Sequence, residues 1–296
     1  MILHVVRWGC CIRCRALLTA CRCLRNLSVA AFKMPLKFAA NISTMFRYEP
    51  DMLARIRVAK EKGFKAVECQ FPYKFKFREL SQKTVECGIP HVLINSYPGT
   101  IERGELGCAA IPGRESEFLY TLETSIKYAK ALQCKKIHVM AGITGPEPDA
   151  VMEALYVKNL LRAAHLFEKE GIVGVIEPLC KEVKPGYFLS SYEQAAGYIK
   201  KINHKNIRLL MDVFHLQMTS GNLTNTITTL FPFVEHIQIS QAPYRTEPGA
   251  PGEIDYKYIL KVIEKLGYTD WIGLEFTTQD ETADGLYFLS EYGYSL

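Results

Sequence analysis

Residues 172–179 read IVGVIEPL, a β-branched apolar run that closes on Glu177 and Pro178, with Gly171 before it and an amphipathic stretch over 150–170 ahead of that glycine. A run this short and this apolar is a strand covered on both faces, as in parallel βαβ units. The same unit recurs on both sides of it. Toward the N-terminus lie KKIHVMAG at 135–142, HVLINSY at 91–97, FKAVECQF at 64–71 and LKFAANIS at 36–43; toward the C-terminus lie IRLLMDVFH at 207–215, VEHIQIS at 234–240 and WIGLEFTT at 271–278. Helical patterns fall between and after them, at 52–62, 75–87, 116–133, 150–170, 191–203, 222–231, 256–266 and 283–292. Gly63, Gly88, Gly171 and Gly267 stand where left-handed helix ends are expected. Eight strands, each followed by a helix, predict one α/β domain over residues 35–292, a closed (β/α)8 barrel. An open doubly wound sheet would carry a glycine-rich phosphate loop after its first strand, and LKFAANIS leads into none.

Composition agrees with one soluble globular domain. The chain has 296 residues, 48% hydrophobic and 23% charged, with mean hydropathy −0.01, against the roughly 250 residues usual for such a barrel. No apolar run reaches the roughly 20 residues that cross a bilayer. The net charge of +5 is localised: residues 1–33 hold six of the 36 basic side chains and no acid, which leaves 30 bases against 31 acids, or −1, for the rest. That distribution excludes a basic nucleic-acid surface on the barrel. Residues 1–33 also hold Cys10, Cys11, Cys14, Cys21 and Cys23, half the cysteines. Arginine without acid fits a mitochondrial transit peptide; Cys11-x-x-Cys14 lacks the second regular pair of a zinc ribbon; and MPLKFAANIS opens a strand at Met34. The segment therefore reads as an extension outside the fold. The other cysteines, Cys69, Cys87, Cys108, Cys134 and Cys180, are spread one per element, as reduced thiols of a cytoplasmic protein are. A mitochondrial location is the alternative if residues 1–33 act as a transit peptide.

Barrel chemistry sits where strands end. The fifth strand ends at Glu177, the sixth at Asp212, the seventh at Gln238 and the eighth at Glu275. Alternation puts Val173, Val175 and Glu177 on one face, as it does Leu210 with Asp212 and Gly273 with Glu275. Any one of these carboxylates alone reads as a helix cap. Together, three acids and an amide converging on one end repel one another and lose hydration unless a cation sits among them. Oxygen-only ligands suit Mg2+ or Mn2+ better than zinc. Glu177, Asp212, Gln238 and Glu275 are the expected metal ligands.

IEPL at 176–179 with PGYFL at 185–189, LLMDVFHLQ at 209–217, HIQIS at 236–240 with Arg245 beyond it, and GLEF at 273–276 form an ordered set that resembles the hydroxypyruvate isomerases of the xylose-isomerase-like TIM barrels. KIHVMAG at 136–142, LINSYPG at 93–99, RGELG at 103–107 and IPGR at 111–114 belong to the same likeness, which spans residues 35 to about 290. The resemblance implies reversible isomerisation of hydroxypyruvate to 2-hydroxy-3-oxopropanoate (tartronate semialdehyde). It makes Glu177 and Glu275 the paired proton donor and acceptor as well as metal ligands, and its matching position favours substrate contact over a structural role for His215. Arg245 is a candidate to bind the substrate carboxylate, the alternative being a solvated loop arginine. Sugar epimerases of the superfamily carry histidine where this chain has Gln238, which favours the isomerase branch. After IEPL the family commonly continues with asparagine and arginine, whereas this chain has Cys180, Lys181 and Glu182. That departure bears on substrate choice.

The chemistry asks for these residue types. Moving hydrogen between adjacent carbons of an α-hydroxycarbonyl needs a base for a weakly acidic C–H, an acid for the neighbouring carbon and positive charge beside the ene-diolate. His236 shares the inward parity of Gln238 and reads as a buried structural group, the alternative being a partner behind the metal ligands. His138, Asn95 and the aromatic run from Phe71 to Phe77 are further candidates to line the pocket. A keto-sugar 3-epimerase is the alternative within the superfamily. An endonuclease of the same fold needs several zinc ions and a basic groove, and the seven histidines of the chain fall mostly away from strand ends. A binding protein that had lost catalysis would have little use for clustered acids. The expected partner is a small hydroxy-keto acid, with no nucleic acid and no membrane, on a barrel that is compatible with a homo-oligomer.

Overall fold

The computed structural model describes residues 35–145, 148–278 and 284–296; the N-terminal extension expected over 1–33 lies outside them. Eight strands run β1 (Lys37–Asn41), β2 (Val67–Cys69), β3 (His91–Asn95), β4 (Lys136–His138), β5 (Val173–Ile176), β6 (Ile207–Asp212), β7 (Val234–Ile239) and β8 (Trp271–Leu274). They form a closed barrel in sequence order. All pairings are parallel, and β8 returns to β1 in the register Lys37 to Trp271 through Ala40 to Leu274. The fold is a (β/α)8 TIM barrel.

The helices among the described residues are α1 (Met52–Glu61), α2 (Phe77–Cys87), α3 (Glu115–Ala131), α4 (Ala150–Glu170), α5 (Tyr192–Ile202), α6 (Val213–Thr219), α7 (Leu223–Leu230), α8 (Tyr256–Lys265) and α9 (Tyr287–Tyr292). Their starts follow from capping side chains: Asp51, Asp149, Ser191 and Asp255 each accept a backbone N–H from the first turn of α1, α4, α5 and α8. Gly88 and Gly171 end α2 and α4 in the left-handed conformation, where a side chain would be strained. One helix is absent from the sequence expectation. The stretch 207–215 reads as a single strand, but the strand stops at Asp212 and α6 begins at Val213, because the Asp212 carboxylate turns back to accept the Phe214 N–H at 2.9 Å.

Most of the core lies between the strands and the helical shell, with Phe38, Phe64, Phe118, Phe167, Phe214 and Phe288 fully buried. Apart from that core, two small apolar clusters form among the described residues, Leu93, Val175 and Leu210 with Val173, and Ala39, Ala66 and Val92 with Trp271. Branched aliphatic layers usually fill such a barrel. Here buried polar groups, Glu68, Lys136, His138, His236 and Gln238, take up much of that space, which raises the question of what they are for.

Candidate active site

Glu177 stands one residue past β5, Asp212 closes β6, Gln238 lies in β7 and Glu275 follows β8. In the sheet Asp212 pairs with Gln238, and Gln238 with Gly273, so register brings three of the four expected ligands to neighbouring positions on the rim. All four are buried, as is His215. Glu177, His215, Arg245 and Glu275 line one cavity of about 250 Å³, together with Gln70 and Lys184.

Glu275 is the most heavily bonded member. Its Oε1 accepts from Gln70 Nε2 at 2.9 Å and from Arg245 Nη2 at 2.8 Å, and its Oε2 accepts from Asn41 Nδ2 at 3.0 Å and from Gln238 Nε2. Glu177 is different. His138 Nδ1 comes to 3.3 Å of its Oε2, but neither ring nitrogen of His138 makes a hydrogen bond among the described residues. The approach is close without being aligned, and burial pushes the His138 pKa down to about 3, so the ring is neutral.

Arg245 ties the rim together. Its Nη2 donates to Asp212 Oδ2 at 3.0 Å as well as to Glu275, and the guanidinium lies over the Phe214 ring at 4.9 Å. Its backbone φ is +54°, a conformation bulky residues seldom adopt and one that clusters at functional sites. Arg245 Nη1 also meets His215 Nε2 at 3.1 Å, while the Cys180 backbone N–H points at His215 Nδ1 at 3.1 Å. Cys180 Sγ also lies 3.2 Å from His215 Nδ1. A neutral ring protonated at Nδ1 donates to that sulfur and accepts from Arg245 at Nε2; one protonated at Nε2 accepts the Cys180 N–H and turns its own N–H toward Arg245.

Electrostatics at the rim follow from crowding. Burial raises Glu177 well above the ordinary carboxylate range, with the charges of Glu275 and Asp212 adding to it. Burial pushes Asp212 up to about 7 against the pull of Arg245, and raises Glu275 in the same way. Burial, then Arg245, lowers His215 well below its usual value. Such a set protonates or takes a cation. The donors present fit a divalent ion on two counts. Ligand atoms of Glu177, Asp212 and His215 lie within 4.8 Å of one another, and Gln238 Oε1 is a buried acceptor with no hydrogen bond among the described residues. The first of these places His215, expected only to touch substrate, within reach of the ion as well.

Several groups here go unnoticed from sequence. Glu68 of β2 accepts from Asn41, His236 and Gln238; Asn41, Gln70 and Lys184 bear on Glu275 or the cavity. The available signal for Glu68 is a carboxylate between Val67 and Cys69 in an apolar run. Of the weaker candidates, His138, Asn95 and Phe71 do line the cavity. Tyr73 instead packs edge-on against Tyr97 and Tyr128 and donates to the Asn95 carbonyl, a packing role.

The family model for the xylose isomerase-like TIM barrel matches residues 56–292. The chain is 39% identical over 259 residues to a hydroxypyruvate isomerase of Escherichia coli (strain K12), covering 87% of this chain and 99% of that one. It is 38% identical over 251 residues to a 2-oxo-tetronate isomerase of Pectobacterium atrosepticum, covering 84% and 95%. Among solved structures it resembles an AP endonuclease, family 2, from Brucella melitensis, with TM-score 0.83 and 37% identity over 88% of this chain and 99% of that one. Membership rests on the whole barrel, rim included: the chain belongs to the xylose isomerase-like TIM barrel family and, within it, to the hydroxypyruvate isomerases.

Proposed function

We propose that the chain is an isomerase that interconverts hydroxypyruvate and 2-hydroxy-3-oxopropanoate. The observation that carries this reading is the pair of buried carboxylates, Glu177 and Glu275, which open on one small cavity from strands three places apart around the barrel. Proton transfer between adjacent carbons needs an acid and a base that reach the same substrate. One carboxylate takes a proton from C3, giving the ene-diolate; a proton is delivered to C2 from the other carboxylate or from the first, and the hydroxyl proton passes from O3 to O2. His215 and Arg245 line the same cavity and meet a substrate oxygen there. Arg245 is already engaged with Asp212 and Glu275, so Lys184 shares the task of meeting the substrate carboxylate.

Glu177, Asp212, Gln238 and Glu275 would hold a Mg2+ or Mn2+ ion, with His215 beside them. Bound there, it supplies positive charge to the carbonyl and hydroxyl oxygens as negative charge develops on them. The compartment we propose is the cytoplasm, in keeping with five buried free thiols among the described residues; no helix among them is long and apolar enough to cross a membrane.

A nuclease reading, suggested by the name of the Brucella protein, has little support here, since residues 34–296 carry a net charge of −1. The test follows hydroxypyruvate conversion with Mg2+, Mn2+ or a chelator, beside Glu275→Gln and with 2-oxo-tetronate and ketoses as competing substrates. Conversion that withstands both chelation and the substitution overturns the mechanism. A strong preference for a ketose overturns the substrate.

A further inference from the structure

Beneath the rim, a line of polar contacts runs through the barrel. At its lower end Asp270, which is 39% exposed, accepts from Lys136 Nζ at 2.6 Å. Lys136 Nζ reaches His236 Nδ1 at 3.1 Å. His236 Nε2 meets Glu68 Oε2 at 2.7 Å, and Glu68 Oε1 receives Gln238 Nε2 at 2.6 Å and Asn41 Nδ2 at 3.0 Å. The directions of these bonds are determined in sequence. An ammonium has only hydrogens to offer, so His236 Nδ1 accepts, and the neutral ring then carries its proton on Nε2 and donates it to Glu68. The ionised Glu68 carboxylate is then a pure acceptor.

That fixes the Gln238 amide. Its two ends are nearly isosteric and could exchange by rotation, but only its NH2 can meet Glu68, and the same NH2 meets Glu275. The oxygen is the end left over, and it is the buried atom without a hydrogen bond. Asn41 depends less on Glu68, because its Oδ1 is held independently by the Ser43 N–H at 3.0 Å. Strand β8, on the far side of β1 from β2, leaves space for the arrangement: a Cβ at Gly273 would lie 2.3 Å from Glu68 Oε1.

We infer that Glu68, backed by His236, Lys136 and Asp270, is a positioning residue that holds the Gln238 amide with its oxygen available to a divalent ion. This rests on reading the rim as a metal centre. Replacing Glu68 by glutamine shows why a carboxylate is needed. With its oxygen toward Gln238, the new amide turns an N–H against the His236 N–H; with its nitrogen toward Gln238, it favours a turned Gln238 whose N–H faces the ion. Partners behind metal ligands commonly carry 10- to 100-fold in affinity.

The experiment titrates Mn2+ into the full chain and follows free Mn2+ by electron paramagnetic resonance. Wild type, Glu275→Gln, Glu68→Gln, Gln238→Ala and the last two combined are compared. Glu68→Gln is expected to weaken Mn2+ binding about 10- to 100-fold, and to weaken it less than about twofold further once Gln238 is alanine, because an effect transmitted through a missing amide vanishes. A general structural role would weaken binding equally in both backgrounds and overturns the inference, as does Mn2+ affinity within about twofold of wild type in Glu68→Gln. If Glu68→Gln gives no cooperative melt, Gly273→Ala takes its place: the added Cβ displaces the carboxylate without removing its charge, and the same criteria apply. Wild type that binds no Mn2+, or binds it indifferently to Glu275→Gln, removes the metal centre itself, a result distinct from tight binding that ignores Glu68.

Discussion

Glu275 and Glu177 are the same residue type at equivalent positions, and their surroundings separate them. Four donors hold Glu275 in one orientation, while among the described residues Glu177 has only the unaligned approach of His138 described above. Glu275→Gln cannot accept a proton and sets an NH2 against two of those four donors, so hydroxypyruvate turnover is expected to fall about 10²- to 10⁴-fold and the melting temperature to fall by a few degrees. Steady-state rates beside a thermal melt check this; a kcat within about threefold of wild type removes Glu275 from proton transfer. Lys184 lies at the cavity edge and touches none of the proposed proton-transfer groups in the bonds described. Lys184→Met is therefore expected to raise KM about tenfold with kcat nearly unchanged, as loss of a charge-assisted contact does. An equal fall in kcat would place the lysine in the chemistry. The rim carboxylates were legible in the sequence because strand ends can be counted. Glu68 was not, because its significance lies in three partners from β1 and β7, 27, 168 and 170 residues away.

At the scale of elements, periodicity located nearly everything it could address. The eight strands and the helices α1 to α5 and α7 to α9 fall inside the stretches that alternation and amphipathic spacing mark out, with ends shifted by a few residues. The failure at α6 has a local cause. Val213 and Phe214 favour a strand on propensity, and a tertiary demand overrides it: Asp212 must cap α6 with Oδ1 while offering Oδ2 to Arg245. The reading of this residue as a helix cap holds for Oδ1, while Oδ2 is the oxygen left to face the rim. Asparagine can still cap a helix but carries no charge. Asp212→Asn is accordingly expected to fold with a melting temperature within a few degrees of wild type, and to lose the stabilisation that Mn2+ gives wild type. Differential scanning fluorimetry with and without Mn2+ measures both. A variant still stabilised by Mn2+ like wild type takes Asp212 out of the ligand set.

Over the whole molecule, the buried rim makes stability depend on pH in a manner that follows from its charges. In metal-free protein the carboxylates of Asp212 and Glu68 titrate at about 7, raised first by burial, with Glu177 well above its ordinary value and Glu275 also raised. Unfolded, such groups titrate near 4. The folded chain thus holds more protons than the unfolded one between about pH 4 and 7 and beyond, and there stability falls as pH rises. Buried histidines act in the opposite sense. Burial lowers His138 to about 3 and His91 to about 4, and lowers His215 and His236 well below the usual value. Below about pH 6.5 the unfolded chain takes up protons that these folded rings refuse, so stability falls as pH drops. Above about pH 6.5 the histidine contribution is spent and the carboxylates act alone. With chelator present, the melting temperature is therefore expected to decline from pH 6.5 to pH 8. A divalent ion needs the carboxylates unprotonated, so the increment from saturating Mn2+ should grow over the same interval. Melts at half-unit steps with chelator and with Mn2+ give the two curves. If the chelated curve climbs toward pH 8, or the gap between the curves stays constant, the crowded acids are not the groups that the ion neutralises.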